Sequence, residues 1–256
     1  MPSEAQIGGP CRHIERTSDT AICAFGVRPR RARATIALVG DSHAAHWRAA
    51  VDVVAHAKRW RGVSFYRSQC QFTLATTSLP GPGRADCPRW NERVLRWFKR
   101  HPGVSTVFVS ENSHAGVIAP AGEDPFKAKV AGYEGAWKAL PATVKHVIVI
   151  RDTPFDALTT NACIERAIAR REAAGRVCAL PRASALLPDP AAVAASELRS
   201  PRVQLVDLTP FMCDPALCYP VVGGALVHKD TEHLTRTFSA TLGPYLLRDM
   251  AAARFR

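Results

Sequence analysis

Five short apolar runs rich in branched side chains recur along the chain, each followed by a stretch of helical periodicity. The runs are TIALVG (35–40), GVSFYRS (62–68), VSTVFVS (104–110), KHVIVIRDTP (145–154, with its exit loop) and VQLVDLTP (203–210). Short apolar runs bounded by turn residues read as buried strands. The helical stretches cover 43–60, 88–101, 124–140, 161–175, 189–198 and 234–255. In 43–60, Ala45, Ala49, Val53 and Ala57 form one apolar stripe, and Trp90, Val94, Trp97 and Phe98 do the same in 88–101. Strands alternating with helices predict an α/β fold: a three-layer sandwich whose mostly parallel central sheet has about five strands, flanked by helices.

Local signals sharpen this frame. Asp124-Pro125 and Asp189-Pro190 each read as an N-cap followed by a first-turn proline. Asn161 is the expected cap of the fourth helix and Gly175 its stop. Residues 69–88, with Pro80, Gly81, Pro82 and Gly83, read as a long loop. Gly223-Gly224 predicts a hairpin turn, and Gly243-Pro244 a kink in the last helix.

The cysteines restrict the compartment. Eight are present: Cys11, Cys23, Cys70, Cys87, Cys163, Cys178, Cys213 and Cys218. None forms a Cys-x-x-Cys pair, which argues against a zinc ribbon or a thioredoxin-like site. In order they make four local couples, 11–23, 70–87, 163–178 and 213–218, and each couple is expected to be a disulfide. Buried free thiols are the alternative. A bridge closing a loop of about 15 residues contributes on the order of 3 kcal/mol. Disulfides imply an oxidising compartment, a periplasm or cell exterior. No apolar stretch approaches a membrane span, and MPSEAQIGGPC lacks the basic-then-apolar pattern of a leader. The sequence is therefore expected to be the exported part of a longer chain.

The net charge is +12 and the isoelectric point about 9.8, with arginine dominant, as in RPRRARA (28–34). Such a surface attracts anionic partners, or is simply the solvated surface of an arginine-rich proteome. Aromatic residues are few and not interleaved with the basic ones, so no platform for single-stranded nucleic acid is visible and nucleic acid is not an expected partner.

The first predicted strand ends in Gly40-Asp41-Ser42-His43 and runs into a helix. In open α/β sheets ligands gather at the carboxyl ends of the strands. Ser42 there reads as a helix cap or as a nucleophile whose own N–H faces the reaction centre. A serine nucleophile needs a histidine oriented by a carboxylate. KDTEHLT (229–235) supplies Asp230 and His233, three apart, a spacing that shares one face of a helical turn. A lone surface histidine is the competing reading of His233.

GDSH after the first strand and DxxHLT before the last helix, in this order, resemble the SGNH (GDSL-like) hydrolases over roughly residues 34–250. The cysteine-rich body and the GDSHAxxW-like start are similar to SGNH domains fused behind membrane acyltransferase-3 domains, which O-acylate bacterial surface glycans. The resemblance implies a catalytic domain over 34–256 behind a disulfide-bearing N-terminal extension or linker, 1–33. It implies Ser42 as nucleophile and oxyanion donor, His233 as base and Asp230 as its orienting carboxylate. Asn112, in VSENSH, takes the place of the family's side-chain oxyanion donor, although Ser110-Glu111-Asn112 stands where Gly-x-Asn-Asp is usual. YRSQCQF (66–72) has no glycine after the second strand, which leaves the Ser68 or Gln69 N–H as the second donor.

The implied activity is transfer of an acyl group, an acetyl above all, to a polysaccharide or lipopolysaccharide sugar through an acyl-serine, with esterase activity when water intervenes. The implied partners are an acyl donor delivered by an upstream membrane domain and a glycan acceptor. The domain is expected to be periplasmic, tethered to an inner-membrane protein, monomeric in isolation and free of cofactor. A non-catalytic glycan-binding or scaffolding domain of a membrane acyltransferase is the alternative. Arg151 and Asp152 are expected to border the cleft and contact a substrate hydroxyl or carboxylate, or to pair with each other. Glu111 and His114 are expected on its rim. Asp41, His43, His46, Asp230 and His233 could be imagined around a metal, but a metal leaves Ser42 unexplained and no site is expected.

Overall fold

The computed structural model describes residues 11–13 and 21–252. In chain order, β1 (Cys11–His13) and β2 (Ala21–Gly26) precede β3 (Ala34–Gly40), which runs into α1 (Ser42–Lys58). Then come β4 (Trp60–Tyr66), β5 (Thr76–Thr77), α2 (Pro82–Arg100), β6 (Val104–Ser110), β7 (Val117–Ile118), α3 (Pro125–Ala139) and β8 (His146–Ile150). The later part holds α4 (Thr160–Ala169), α5 (Ala174–Val177), β9 (Leu180–Pro181), α6 (Arg182–Ala185), α7 (Pro190–Glu197) and β10 (Val203–Val206). It closes with β11 (Leu217–Cys218), β12 (Val221–Val222), β13 (Ala225–Leu226) and α8 (Arg236–Ala252).

The central sheet runs β1-β2-β4-β3-β6-β8-β10. The five expected strands are its parallel members, in the order β4-β3-β6-β8-β10. Two antiparallel strands extend it beyond β4: β2 pairs Cys23 with Ser64, and β1 pairs Cys11 with Cys23. Part of the segment read as an N-terminal extension thus supplies an edge of the main sheet; its residues 1–10 and 14–20 lie outside the described residues.

Alternate side chains of each strand enter opposite cores. Ile36 and Leu38 of β3, with Ile148 and Ile150 of β8, meet Trp47, Val51 and Val54 of α1 and Phe238, Leu242 and Leu246 of α8. Ala37, Val39, Val107 and Val147 meet Trp90 and Phe98 of α2, Tyr133 and Trp137 of α3, and Ala194 of α7. The result is the expected three-layer sandwich. α1 and α8 approach so closely that a Cβ on Gly243 would lie 2.5 Å from Val53.

The Asp-Pro starts hold: the Asp124 and Asp189 carboxylates accept the N–H groups of Phe126 and Ala191. The Gly223-Gly224 turn joins β12 to β13. Other expectations are corrected. Asn161 does not cap α4, whose N-cap is Thr159, and Gly175 lies inside α5; α4 has already ended by Arg171, at φ 57°. Residues 82–88 are helix, so the second disulfide ties a shorter loop to the first turns of α2. α8 runs unbroken through Pro244 and is described to Ala252; its expected continuation to 255 lies outside the described residues. All four disulfides join the expected partners. Among the described residues, no helix is long and apolar enough to cross a membrane.

Candidate active site

At the carboxyl edge of the sheet, β3 hands the chain to α1 through Gly40, which has φ +151°. A side chain there would put Cβ 2.3 Å from the Ser110 carbonyl oxygen at the end of β6, so only glycine lets these two strand ends lie this close. Asp41, not Ser42, is the N-cap: its Oδ1 accepts the His43 N–H at 2.8 Å. Ser42 is therefore the first residue of α1, partly exposed, with its hydroxyl outside the capping interaction. First-turn N–H groups have no partner within their helix, and the helix dipole makes them favourable toward negative charge.

Asp41 also organises the neighbouring loops. Its Oδ2 accepts Gln71 Nε2 at 2.8 Å from the loop after β4 and the Asn112 N–H at 3.0 Å from the loop after β6. Beneath it, Glu111 accepts the Asp41 N–H and the Phe72 N–H. Glu111 is fully enclosed; burial, with Asp41 alongside, pushes its carboxyl well above the ordinary range. Glu111 thus belongs to the foundation of the site rather than to its rim.

His233 and Asp230 approach from the segment before α8. They do not lie on a helical turn. Asp230 Oδ1 accepts the N–H groups of Glu232 at 3.0 Å and His233 at 2.8 Å, a side-chain-nucleated bend. The same carboxylate holds His233 Nδ1 at 3.0 Å, which leaves Nε2 as the outward nitrogen. Burial alone would raise the Asp230 carboxyl, but the two N–H donors and His233 bring it below its usual value.

Ser42, His233, Asn112, Ser68 and Gln69 line one pocket of about 360 Å³, with Gln71, Glu232 and Thr77–Leu79. Part of its wall is the small two-stranded antiparallel sheet of β5 and β7, followed on one side by Ser78 and preceded on the other by Gly116. His114 does reach the rim, where its ring stacks on Phe155 at 3.6 Å. Arg151 does not line this pocket; its Nη1 donates to Asp207 at 2.7 Å, tying the ends of β8 and β10. Asp152 is buried behind the pocket instead.

Asp152 accepts from three groups: His43 Nδ1 at 2.6 Å, the Ser113 N–H at 2.7 Å and the Thr153 N–H at 2.8 Å. Burial disfavours the charged form of both partners of the His43–Asp152 pair, yet their mutual attraction prevails. His43 is pushed up to about 9 and Asp152 is held below its usual value. His46, also enclosed, goes the other way: burial, then the neighbouring histidines, drives it well below the ordinary value. Its Nδ1 faces the Leu234 N–H at 3.4 Å, so it anchors the His233 segment to α1 as a neutral ring.

Sequence reasoning passed over Glu232, although it stands between Asp230 and His233. Its Oε2 accepts Asn112 Nδ2 at 3.2 Å and lies 4.0 Å from His43 Nε2. His43, Glu232 and His233 bring one potential ligand atom each within 4.8 Å of one another.

Residues 10–248 match the family described as "SGNH domain (fused to AT3 domains)". No curated protein sequence matches the chain. Among solved structures, the periplasmic domain of a lipopolysaccharide acetyltransferase from Salmonella ser. Paratyphi A is similar, with a TM-score of 0.62 at 13% identity over 89% of each chain. At that identity the likeness speaks for the fold.

Proposed function

The chain belongs to the SGNH domains of the kind fused to AT3 domains, and from that premise we propose that it is an extracytoplasmic serine O-acyltransferase acting on a glycan. One observation carries the reading: Ser42, at the N-terminus of α1, shares a pocket with His233, whose Nδ1 is held by Asp230.

The chemistry follows from these positions. His233 Nε2 takes the Ser42 hydroxyl proton as Oγ attacks the acyl carbonyl. The Ser42 N–H and the second Asn112 amide hydrogen hold the resulting oxyanion, with Ser68 or Gln69 as the further donor. His233 then protonates the leaving group and an acyl-serine remains. A sugar hydroxyl, deprotonated by His233, attacks that ester; collapse returns the Ser42 hydroxyl and leaves the sugar acylated. Water in the same role gives hydrolysis. The acyl group is an acetyl delivered by an upstream membrane domain. The acceptor is a surface polysaccharide or lipopolysaccharide sugar, in line with the activity named for the structurally similar periplasmic domain.

A non-catalytic glycan-binding role has one observation in its favour. The Asn112 amide is engaged by the Glu232 carboxylate, and a negative charge beside an oxyanion site opposes the chemistry unless Glu232 turns aside. Turnover of a small activated acetyl ester by wild type and Ser42→Ala, with and without an oligosaccharide acceptor, separates the two. Acetate release that vanishes with Ser42→Ala, and acetylated sugar when acceptor is present, is the expected result. A folded wild type that neither turns over the ester nor becomes labelled at Ser42 by a serine-directed phosphonate would favour the binding role.

A further inference from the structure

The buried ring of His43 is hydrogen-bonded through one of its two nitrogens only. Its Nδ1 is bound to Asp152 at 2.6 Å, while Nε2 is fully enclosed and has no hydrogen-bond partner. A buried polar atom without a partner calls for an explanation, such as an ion or a water. The His43 ring lies 5.2 Å from the His233 ring, edge to face, and Glu232 Oε2 is 4.0 Å from His43 Nε2. His233 repeats the pattern of His43: a carboxylate holds Nδ1, at 3.0 Å, and Nε2 is left over. Histidine ligands of metals are characteristically built this way, with a carboxylate on the far nitrogen that fixes the ring and raises its basicity.

We propose that His43, Glu232 and His233 form a site for a divalent transition-metal ion of the Zn²⁺ class, and that the bound ion switches the acyl-transfer chemistry off. Two imidazoles and a carboxylate suit zinc and its neighbours; magnesium and calcium prefer all-oxygen sets. Bonds of about 2.0–2.1 Å bring tetrahedral ligand atoms closer together than the present spacing. His43 is the fixed member, fully buried, while Glu232 is 32% and His233 20% exposed, so the latter two rotate inward. His46 is excluded, because its Nδ1 faces a backbone N–H and its remaining nitrogen carries the ring proton. Asp152, Asp230 and Glu232 together offset the charge of the ion. Binding displaces the Nε2 proton of His43 to solvent and leaves its Nδ1–H on Asp152. The fourth position opens toward the pocket, whose wall includes Glu232 and His233.

The binding half of this inference stands apart from the nucleophile reading; the switching half rests on it, since the ion takes the Nε2 lone pair that would receive the Ser42 proton. Calorimetric titration of the chelator-treated protein with Zn²⁺, in wild type and Ser42→Ala, tests the first half. The expected result is one ion per chain at micromolar dissociation constant or tighter, unchanged by Ser42→Ala. Glu232→Gln and His233→Asn should each weaken it at least about tenfold, whereas His56→Asn on the exposed face of α1 should not. With Co²⁺ the same site should show the visible absorption of a tetrahedral centre. Absence of saturable binding below about 100 μM, or binding indifferent to Glu232→Gln and His233→Asn, overturns the site. For the second half, wild-type ester turnover should fall in step with Zn²⁺ occupancy and return with chelator. Full turnover at full occupancy overturns the switch and leaves the site standing.

Discussion

Asp230 grips His233 at two points: its Oδ1 accepts the His233 backbone N–H at 2.8 Å, and both carboxylate oxygens lie 3.0 Å from the ring Nδ1. One residue therefore shapes the bend and sets the tautomer of the histidine. Asp230→Asn keeps an acceptor for the backbone but presents the ring with an ambiguous partner. Ester turnover should fall by roughly 10³–10⁴ in kcat, with KM and the melting temperature little changed. Steady-state kinetics alongside thermal melts checks this; a loss of melting temperature equal to the loss of activity would assign Asp230 a purely structural role.

Asn112 is tied by its backbone to Asp41 and by its side chain to Glu232. Asn112→Ala should lower kcat about 10²–10³-fold while KM moves little, as loss of an oxyanion donor does. An unchanged kcat would move the donor role to the Ser68–Gln69 turn.

Gly40 has no room for a methyl group, with the Ser110 carbonyl oxygen 2.3 Å from where Cβ would sit and φ at +151°. Gly40→Ala should cost on the order of 3 kcal/mol, from overpacking and backbone strain together. Denaturant titration reads the loss; wild-type stability in this variant would contradict the close contact of β3 and β6.

Asp189 caps α7 and accepts the Asp152 N–H, and burial, with Asp152 nearby, pushes its carboxyl up to about 6. A carboxyl raised in the folded state favours folding below its unfolded value of 3.8, and that contribution is lost as pH rises through about 6. Asp189→Asn removes the charge and keeps one of the two accepting oxygens, since Oδ1 takes the Ala191 N–H and Oδ2 the Asp152 N–H. Its stability relative to wild type should therefore rise by on the order of 2–3 kcal/mol between pH 3.5 and pH 8, whatever constant cost the lost hydrogen bond adds. Stability curves of the two proteins against pH decide it; a difference independent of pH would refute the linkage.

The Cys70–Cys87 bridge fastens the loop that carries Ser68, Gln69 and Gln71 to α2. Replacing both cysteines by alanine should cost on the order of 3 kcal/mol and lower turnover further than stability alone explains, because Gln71 reaches Asp41 from this loop. Kinetics well below the melting transition separate the two effects.

Periodicity carried the fold. Five branched apolar runs became the five parallel strands, and the Asp-Pro and Gly-Gly signals landed where capping and turn chemistry put them. Asn161 and Gly175 misled because α4 ends at Ala169 and a second short helix follows, a break that local propensity does not mark. The edge strands β1 and β2 were missed because a few residues of strand pairing leave almost no pattern; β2 exists through its partner β4 and the bridge to Cys11.

GDSH and DxxH were legible because each is contiguous and sits at a predicted strand end or helix start. The roles around them were not. Whether Ser42 or Asp41 caps α1, whether Arg151 faces the pocket or Asp207, and whether Glu111 is rim or foundation depend on which loops meet at the sheet edge. So do the Asp152–His43 pair, 109 residues apart, and the placing of Glu232 between Asn112 and His43. The chain alone determined the layers, the disulfide couples and the residue types able to do acyl chemistry, since all of these follow from spacing and short-range preference. Only the tertiary structure decided the charges and free nitrogens of the site, because these depend on burial and on partners that distant segments bring together.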